Sequence, residues 1–261
     1  MKTFKRVFSF FLVLICLYVF SIGNTAKALS DQAQEAKRIY TYSEKNSGKN
    51  TDQPNNAKAE KEEEEKRQEN IKHFLRDDMT VEACIYPFPV HYKKNGKWVD
   101  IDNRLEATKD ENGKAVLSNR EGSYSVKFAN DSSDKQIVSI KKDGYSISWQ
   151  LSDTKRNAKA EVAKQPDPSD DIRVLPNLVS GVRYADLYGE GDLNYVATPN
   201  SVTELIELTD SSNIAPYYSV TISCKGLTPK VSNNEISLLN EEGEEIFRIN
   251  APYMTDAQGE V

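Results

Sequence analysis

The sequence predicts a mainly β protein built of β-sandwich-like antiparallel sheets. From Asp78 to Val261, short runs of alternating apolar residues are separated by Asn, Asp, Gly and Pro, a pattern typical of strands that bury one face. Two Asx-Gly dipeptides, Asn95-Gly96 and Asp143-Gly144, stand between such runs and favour tight hairpins. No helical period competes in this region. A signal peptide, a disordered spacer and a short charged helix are predicted to precede the sheets.

Residues 1–28 have the composition of an export signal. Basic residues come first, an apolar run follows from Val7 to about Phe20, and a small-residue cleavage site ends at Ala28, which is the order found in secretory signals. The apolar run is shorter than the roughly 20 residues that a spanning helix needs, so a retained anchor is the weaker alternative. We expect cleavage after Ala28, a secreted, extracellular or cell-wall-associated protein, and no membrane contact after cleavage.

The next two segments lack the pattern of a core. Residues 29–56 contain almost no large apolar side chains and are predicted to be a disordered spacer. Residues 57–76 are rich in Glu and Lys, and Glu62 stands four residues before Lys66, a spacing that stabilises helices. The sequence therefore predicts an exposed charged helix over 57–76, with a composition also used in coiled coils.

The β-rich region is interrupted at Lys164–Asp171 by "KQPDPSDD", which breaks the alternation. We expect a first β-rich half over 77–165 and a second over 166–261. The two halves form either two small domains or two layers of one sandwich.

The hairpin around Asn95-Gly96 contains the residues that look most like a ligand site. A two-residue turn fixes which residues face each other across its strands. The apolar pairs, predicted to face the core, are Tyr92 with Val99 and Val90 with Ile101. The polar pairs, predicted to face solvent, are His91 with Asp100 and Lys93 with Trp98. An exposed Trp flanked by polar groups can stack a sugar ring, so Trp98, His91, Lys93 and Asp100 form a candidate ligand platform. The alternative is an ordinary hairpin surface.

The hairpin at Asp143-Gly144 follows the same rule. The turn sets Val138 opposite Trp149 and Ile140 opposite Ile147. Trp149 is therefore predicted to lie in the core.

Removal of the signal leaves two cysteines, Cys84 and Cys224. In an exported protein they can form a disulfide. The alternative is that each is a small buried apolar side chain, because Cys224 alternates in phase with Val220 and Ile222 as the buried face of a strand would.

A second acidic cluster occurs in "ADLYGEGDLNY", where Asp186, Glu190 and Asp192 surround two glycines. Hard oxygen ligands on a glycine-containing loop suit calcium. Their spacing does not match an EF-hand, and the alternative is a turn that needs no ion.

No catalytic signature is present in the sequence. It contains no G-x-S-x-G elbow, H-E-x-x-H helix or glycine-rich phosphate loop, and His91 has no identifiable nucleophile beside it in the pattern. A two-carboxylate glycosidase is an alternative, because the 40 acidic residues offer many pairs. The formal net charge of -6 argues against a nucleic-acid partner. We expect a protein that is not an enzyme and carries no cofactor.

Several elements, taken in order, resemble the amino-terminal region of large secreted proteins of Gram-positive bacteria. They are Pro89-Val90-His91-Tyr92, Trp98 with Asp100-Ile101-Asp102-Asn103, Asp192-Leu193-Asn194-Tyr195, Glu204-Leu205-Ile206, and Ala251-Pro252-Tyr253-Met254 with Asp256. The family is the DNRLRE-domain and RHS (YD) repeat group, similar to the wall-associated proteins. The elements span most of Lys72 to Val261.

The resemblance implies a non-enzymatic β-rich module of an exported surface protein. In longer relatives such a module precedes RHS repeats, present in cis, and a variable effector used in contact-dependent competition. Neither a DNRLRE segment nor a YD repeat follows in this sequence, so we expect the second half to be truncated at its C-terminal end. Cell-wall or surface polysaccharide is the expected partner.

Overall fold

The computed structural model describes residues 59–152, 154–164, 170–208 and 217–253. Within these ranges the regular structure consists of β strands and one 3-10 turn at Glu64–Lys66. The prediction of a mainly β protein with antiparallel sheets is confirmed. The predicted signal peptide at 1–28 and spacer at 29–56 lie outside the described residues. In the ranges that are described, no helix is long and apolar enough to cross a membrane.

The strands form five antiparallel sheets. The strands are β1 Ala59–Glu62, β2 Ile71–Arg76, β3 Val81–Ile85, β4 His91–Lys94, β5 Lys97–Asp100, β6 Asp102–Lys109, β7 Ala115–Glu121, β8 Ser125–Ala129, β9 Val138–Lys142, β10 Tyr145–Leu151, β11 Ala160–Val162, β12 Ser180–Tyr184, β13 Gly191–Ala197, β14 Val202–Leu208, β15 Val220–Lys225, β16 Thr228–Ser232, β17 Glu235–Leu239 and β18 Glu245–Ile249. The sheet orders are β1-β2-β3, β4-β5, β15-β10-β9-β8-β7-β6, β11-β12-β13-β14 and β16-β17-β18.

Both Asx-Gly turns form the predicted hairpins. Asn95 and Gly96 have φ of 53° and 79°, and Asp143 and Gly144 have φ of 51° and 84°, as a type I′ turn requires. Across the second turn, Val138 pairs with Trp149. Trp149 is partly buried against the main core, and its indole N–H donates to the hydroxyl of Tyr195 over 3.0 Å.

The main core lies between the six-stranded sheet and the four-stranded sheet. Alternate residues of the six-stranded sheet, including Val126, Phe128 and Val138, pack with alternate residues of the four-stranded sheet, including Tyr184 and Tyr195. These side chains are almost completely buried. Because strand side chains alternate between faces, the residues between them in the six-stranded sheet point away from this core.

Strands of the two halves of the chain share sheets. β15, from the second half, pairs with β10 of the first half. β11, from the first half, pairs with β12 of the second half. The backbone hydrogen bonds of the two halves are therefore interleaved in the same sandwich.

The predicted charged helix over 57–76, and with it any coiled coil there, is wrong over the described residues 59–76. This stretch forms β1, the 3-10 turn and β2. The helix prediction rested on charges four residues apart, but Arg67 pairs with Glu62, five residues away. Lys72 and Phe74 of β2 are both buried. Pairing with β3 and burial of these side chains override the local helix propensity.

Candidate functional site

The β4–β5 hairpin has the predicted register. Tyr92 faces Val99 and Lys93 faces Trp98, and the Lys93 ammonium lies 5.0 Å from the centre of the Trp98 ring. Val90 and Ile101, just outside the two strands, are each 1% exposed. The apolar end of the hairpin therefore joins a core, and the indole face of Trp98 is already in contact with a cation.

The prediction that His91 faces solvent is wrong, because His91 is 1% exposed. The chain between β1 and β2 covers that face of the hairpin. The backbone N–H of His91 donates to the carbonyl of Glu69 over 3.0 Å, and the ring Nδ1 lies 2.6 Å from the carbonyl of Gln68. A carbonyl oxygen only accepts, so Nδ1 carries the proton and donates.

A partly buried ion network surrounds this histidine, and we call it the His91 cluster. Its members are Glu62, Arg67, Lys72, His91 and Asp100. Arg67 donates to both Glu62 carboxylate oxygens over 2.7 and 2.9 Å, and to Asp100 over 2.8 Å. The Lys72 ammonium contacts both carboxylates, lying 3.1 Å from Glu62. The cluster ties β1 and β2 to the end of the β4–β5 hairpin.

The electrostatics of the cluster hold Glu62 in its charged form. Burial on its own would raise the pKa of Glu62. The positive charges and hydrogen bonds of Arg67 and Lys72 outweigh burial and hold the pKa far below its ordinary value. The His91 Nε2 lies 3.5 Å from an oxygen of Glu62 and 3.5 Å from an oxygen of Asp100, too far for a full hydrogen bond to either.

Three of these residues have the chemistry of metal ligands. Within the described residues, Glu62, His91 and Asp100 offer ligand atoms that all lie within 4.8 Å of one another. A histidine that donates its Nδ1 proton to a carbonyl is also the usual form of a metal ligand. However, the Lys72 ammonium and the Arg67 guanidinium already neutralise the two carboxylates. A divalent cation would have to displace the buried Lys72, so the cluster is best described as a structural ion network.

The predicted calcium residues have other contacts. One oxygen of Asp192 accepts from the backbone N–H of Asp186 over 2.9 Å, and the other accepts from Arg183 over 2.7 Å. The Asp186 carboxylate lies 3.5 Å from Arg156. Asp186, Glu190 and Asp192 do not form a three-ligand group among the described residues. The turn interpretation accounts for the described contacts of Asp186 and Asp192.

Cys84 and Cys224 are both free thiols in the structure. Cys84 is buried in the cluster that contains Phe74, whereas Cys224 packs against the cluster that contains Leu238. Burial raises the pKa of the Cys84 thiol to about 12. The disulfide alternative is therefore not realised, and each thiol serves as a small apolar side chain.

A polar groove of about 750 Å³ lies on the six-stranded sheet, and we call it the outer groove. It occupies the sheet face opposite to the main core, because its floor residues alternate with the buried ones. Its floor includes five serines and three lysines, namely Ser125, Ser139, Ser146, Ser148 and Ser223 with Lys127, Lys141 and Lys225. Tyrosines are also among its walls, namely Tyr92, Tyr124 and Tyr145.

The register of the sheet arranges the floor in two rows. In one row Ser148 faces Ser139 on one side and Ser223 on the other, and Lys127 faces Ser139. In the other row Lys141 faces Ser125 and Ser146, and Lys225 faces Ser146. The first row therefore carries three adjacent serines and one lysine, whereas hydroxyl and ammonium groups alternate along the second row.

The walls of the outer groove come from two loops and the β4–β5 hairpin. The Tyr92 hydroxyl contacts the carboxylate of Glu121, which also accepts from Lys94 over 2.6 Å. Glu111, in the β6–β7 loop, reaches the ammonium of Lys141. The groove is thus continuous with the hairpin that the sequence singled out, although its floor lies on other strands.

Sequence reasoning did not identify the outer groove, although its signal was present. "SYSVKFA" and "SIKKDGYSIS" place Ser or Lys at every second position between the buried apolar residues. Reading those polar positions across the predicted registers would have brought them together on one face.

Comparison with known proteins found no matching family model, no matching curated protein and no matching solved structure.

Proposed function

We propose that this chain is a non-enzymatic module of an exported surface protein, and that it binds polysaccharide in the outer groove. The groove itself is the observation on which this proposal depends. Its volume of about 750 Å³ is within the range of ligand sites. Serine hydroxyls both donate and accept hydrogen bonds, as the hydroxyl groups of a sugar do.

A non-catalytic role is supported by the contacts of the acidic groups around the groove. Glu121 is bound by Lys94, and Glu111 is bound by Lys141. These contacts lower the pKa of both carboxyl groups and keep them ionised. A glycosidase needs one carboxyl group that is protonated at working pH, and these two are poorly suited to that role.

The surface and export part of the proposal is supported by the sequence. The first 28 residues have the order of a secretory signal. The elements from Pro89 to Asp256 resemble the amino-terminal region of RHS-repeat wall-associated proteins. In this proposal the chain is a cell-wall-associated part of such a system, and longer relatives carry the repeats and the effector.

Trp98 provides a second candidate for the polysaccharide site. Its ring is only partly buried, and an aromatic face can stack on a sugar. The Lys93 ammonium 5.0 Å from the ring centre would have to move before a sugar could stack there. The row of Ser139, Ser148 and Ser223 in the outer groove needs no such displacement.

Retention on polysaccharide distinguishes the two sites. The purified full chain is incubated with peptidoglycan sacculi that retain their attached polymers, and the bound fraction is measured after sedimentation. Ser223→Trp places a large ring in the groove, and Ser232→Trp is the control, because both serines are exposed on strands. We expect Ser223→Trp to abolish retention and Ser232→Trp to leave it unchanged.

Two outcomes of this experiment would contradict the proposal. If Trp98→Ala abolishes retention and Ser223→Trp does not, the hairpin is the site and the groove is not. If the unaltered chain is not retained at all, the polysaccharide proposal is wrong.

A further inference from the structure

We propose that the outer groove takes a negatively charged polysaccharide, carrying phosphate or carboxylate groups, and that Glu111 occupies the anion position when the groove is empty. This inference rests on the proposed polysaccharide-binding function and specifies its ligand class.

The anion position is the place that the Glu111 carboxylate occupies beside Lys141. Three lysines on adjacent parts of the floor surround it. Lys141 contacts the Glu111 carboxylate directly. Lys225 lies two strands from Lys141, with Ser146 between them, which places their backbones roughly 10 Å apart. Lys127 is the diagonal neighbour of Lys141 across β8 and β9, at roughly 7–8 Å. One anionic group near Lys141 is therefore within reach of three long cationic side chains.

The titration of Glu111 agrees with this arrangement. Its pKa is lowered, first by the contact with Lys141 and also by the charges of Lys127 and Lys225. Among the described residues, neither Lys127 nor Lys225 forms an ion pair. The three ammonium groups are thus balanced by one carboxylate.

The other acidic groups of the groove do not supply the missing negative charge. Glu121 is held by Tyr92 and Lys94 at the hairpin wall. Asp134 is held by Lys114. Asp110 accepts from the backbone N–H groups of Asn112 and Lys114, both over 2.8 Å.

Two further charged residues line the groove near the β9–β10 turn, namely Asp143 and Lys142. They have opposite charges and leave the net charge of the groove unchanged. The excess of positive charge is local to Lys127, Lys141 and Lys225.

Glu111 is placed where an incoming ligand can replace it. It lies in the loop between β6 and β7, and its side chain is 75% exposed. An exposed ion pair contributes little to stability, so the loop can release Lys141 at low cost. Serine hydroxyls beside Lys141 then provide hydrogen-bond donors for the same anionic oxygen atoms. Glu111 thus acts as an internal competitor of the ligand.

The inference is tested with one polymer in three chemical forms. Dextran, carboxymethyl-dextran and phosphorylated dextran of equal length are titrated into the full chain, and affinity is measured by calorimetry at two salt concentrations. We expect the charged forms to bind more tightly than dextran, and added salt to weaken only their binding. The stronger of the two charged forms identifies the anionic group.

Substitutions of Lys141 and Glu111 distinguish a role in binding the anionic ligand from a purely structural role. Lys141→Gln should weaken binding of the charged dextran about tenfold, because a charge-assisted contact is lost. Glu111→Gln should strengthen it, because the internal competitor loses its charge. Lys230→Gln is the control, since Lys230 is exposed on β16 outside the groove. Circular dichroism checks that each variant is folded.

Failure of the inference can be distinguished from failure of the proposed function. Equal binding of dextran and its charged forms, or Glu111→Gln binding no more tightly than the unaltered chain, overturns the anionic ligand and leaves polysaccharide binding intact. Retention on sacculi without binding of any dextran has the same meaning. Absence of binding to sacculi and to all three dextrans overturns both.

Discussion

Glu207 has a carboxyl group whose surroundings disfavour its charged form. It lies on β14 directly across from Asp192 of β13. Burial, and after it the charge of Asp192, raises the pKa of Glu207 to about 7. The neighbouring Asn194 is 2% exposed, and neither side-chain amide atom has a hydrogen-bond partner of normal geometry. This face of the four-stranded sheet therefore contains buried polar atoms that lack hydrogen bonds of normal geometry.

This position predicts a dependence of stability on pH. Below the ordinary value of 4.5, Glu207 is protonated in both the folded and unfolded chain. Between 4.5 and about 7 the unfolded chain loses the proton while the folded chain keeps it, so the free energy of unfolding falls as pH rises. The loss through this group is at most roughly 3 kcal/mol.

Glu207→Gln should remove this pH-dependent loss of stability. The variant should therefore be more stable than the unaltered chain at pH 8 and similarly stable at pH 4.5. Urea unfolding followed by circular dichroism at both pH values measures it. Glu241→Gln, at an exposed turn position, is the control. An identical pH dependence in Glu207→Gln and the unaltered chain would show that Glu207 ionises normally in the fold.

At His91, the sequence predicted the strand partner but not the environment. The Asn95-Gly96 turn determines that His91 faces Asp100, because two positive φ values permit only one register. Whether that face is open depends on Gln68 and Glu69, which belong to a different element. Alternation along one hairpin contains no information about a segment that covers it. The His91 cluster was missed for the same reason.

At the scale of secondary-structure elements, the charged stretch from Ala59 to Arg76 shows where the local sequence pattern predicts the wrong structure. Its Glu and Lys residues have high helix propensity, and the sequence offers no turn signal as strong as Asn-Gly. Strand formation there depends on pairing with β3 and on burying Phe74 and Lys72. These are long-range interactions, which a window of neighbouring residues does not contain.

The β4–β5 hairpin predicts unequal effects for residues at its two ends. Ile101→Ala should lower the free energy of unfolding by about 2–5 kcal/mol, because it leaves a cavity in a well-packed core. Trp98→Ala should cost less than about 1 kcal/mol beyond lost packing, because its main polar contact is with an exposed lysine. Urea unfolding compares the two variants. If Trp98→Ala is as damaging as Ile101→Ala, both faces of the hairpin are buried at that end.

At the scale of the whole molecule, long-range contacts join the sheets. β15 completes the six-stranded sheet of the first half, and Asn103 donates to the carbonyl of Leu178 over 2.7 Å. The His91 cluster connects β1 and β2 to the β4–β5 hairpin. The strands that flank the two Asx-Gly turns could be predicted from the sequence. The sharing of sheets between the two halves could not, because turn chemistry specifies only neighbours in the chain.

The His91 cluster leads to a prediction about where the folded unit begins. A chain that starts at Asp77 has the alternating apolar pattern intact, but it lacks β1 and β2. It removes Glu62, Arg67 and Lys72 from the cluster, which leaves Asp100 without its cationic partners. His91 loses the carboxylate of Glu62 and the carbonyl of Gln68. It also removes Ala59 and Phe74 from the core that contains Val90 and Ile101. Loss of these ion pairs and loss of the apolar packing both lower the free energy of unfolding, and deleting one buried Phe side chain by itself typically costs about 3–5 kcal/mol.

We therefore expect chain 77–261 to be less stable than chain 57–261 by more than about 3 kcal/mol, because it lacks the buried Phe74, or to be insoluble. Both chains are expressed in parallel and compared by urea unfolding. Chain 57–261 with Phe74→Ala separates the two causes, because it weakens the core and keeps every member of the ion network. If this variant unfolds at the same urea concentration as chain 77–261, packing alone accounts for the loss. Equal stability of chains 77–261 and 57–261 would show that β1 and β2 are not needed to hold the hairpin in place.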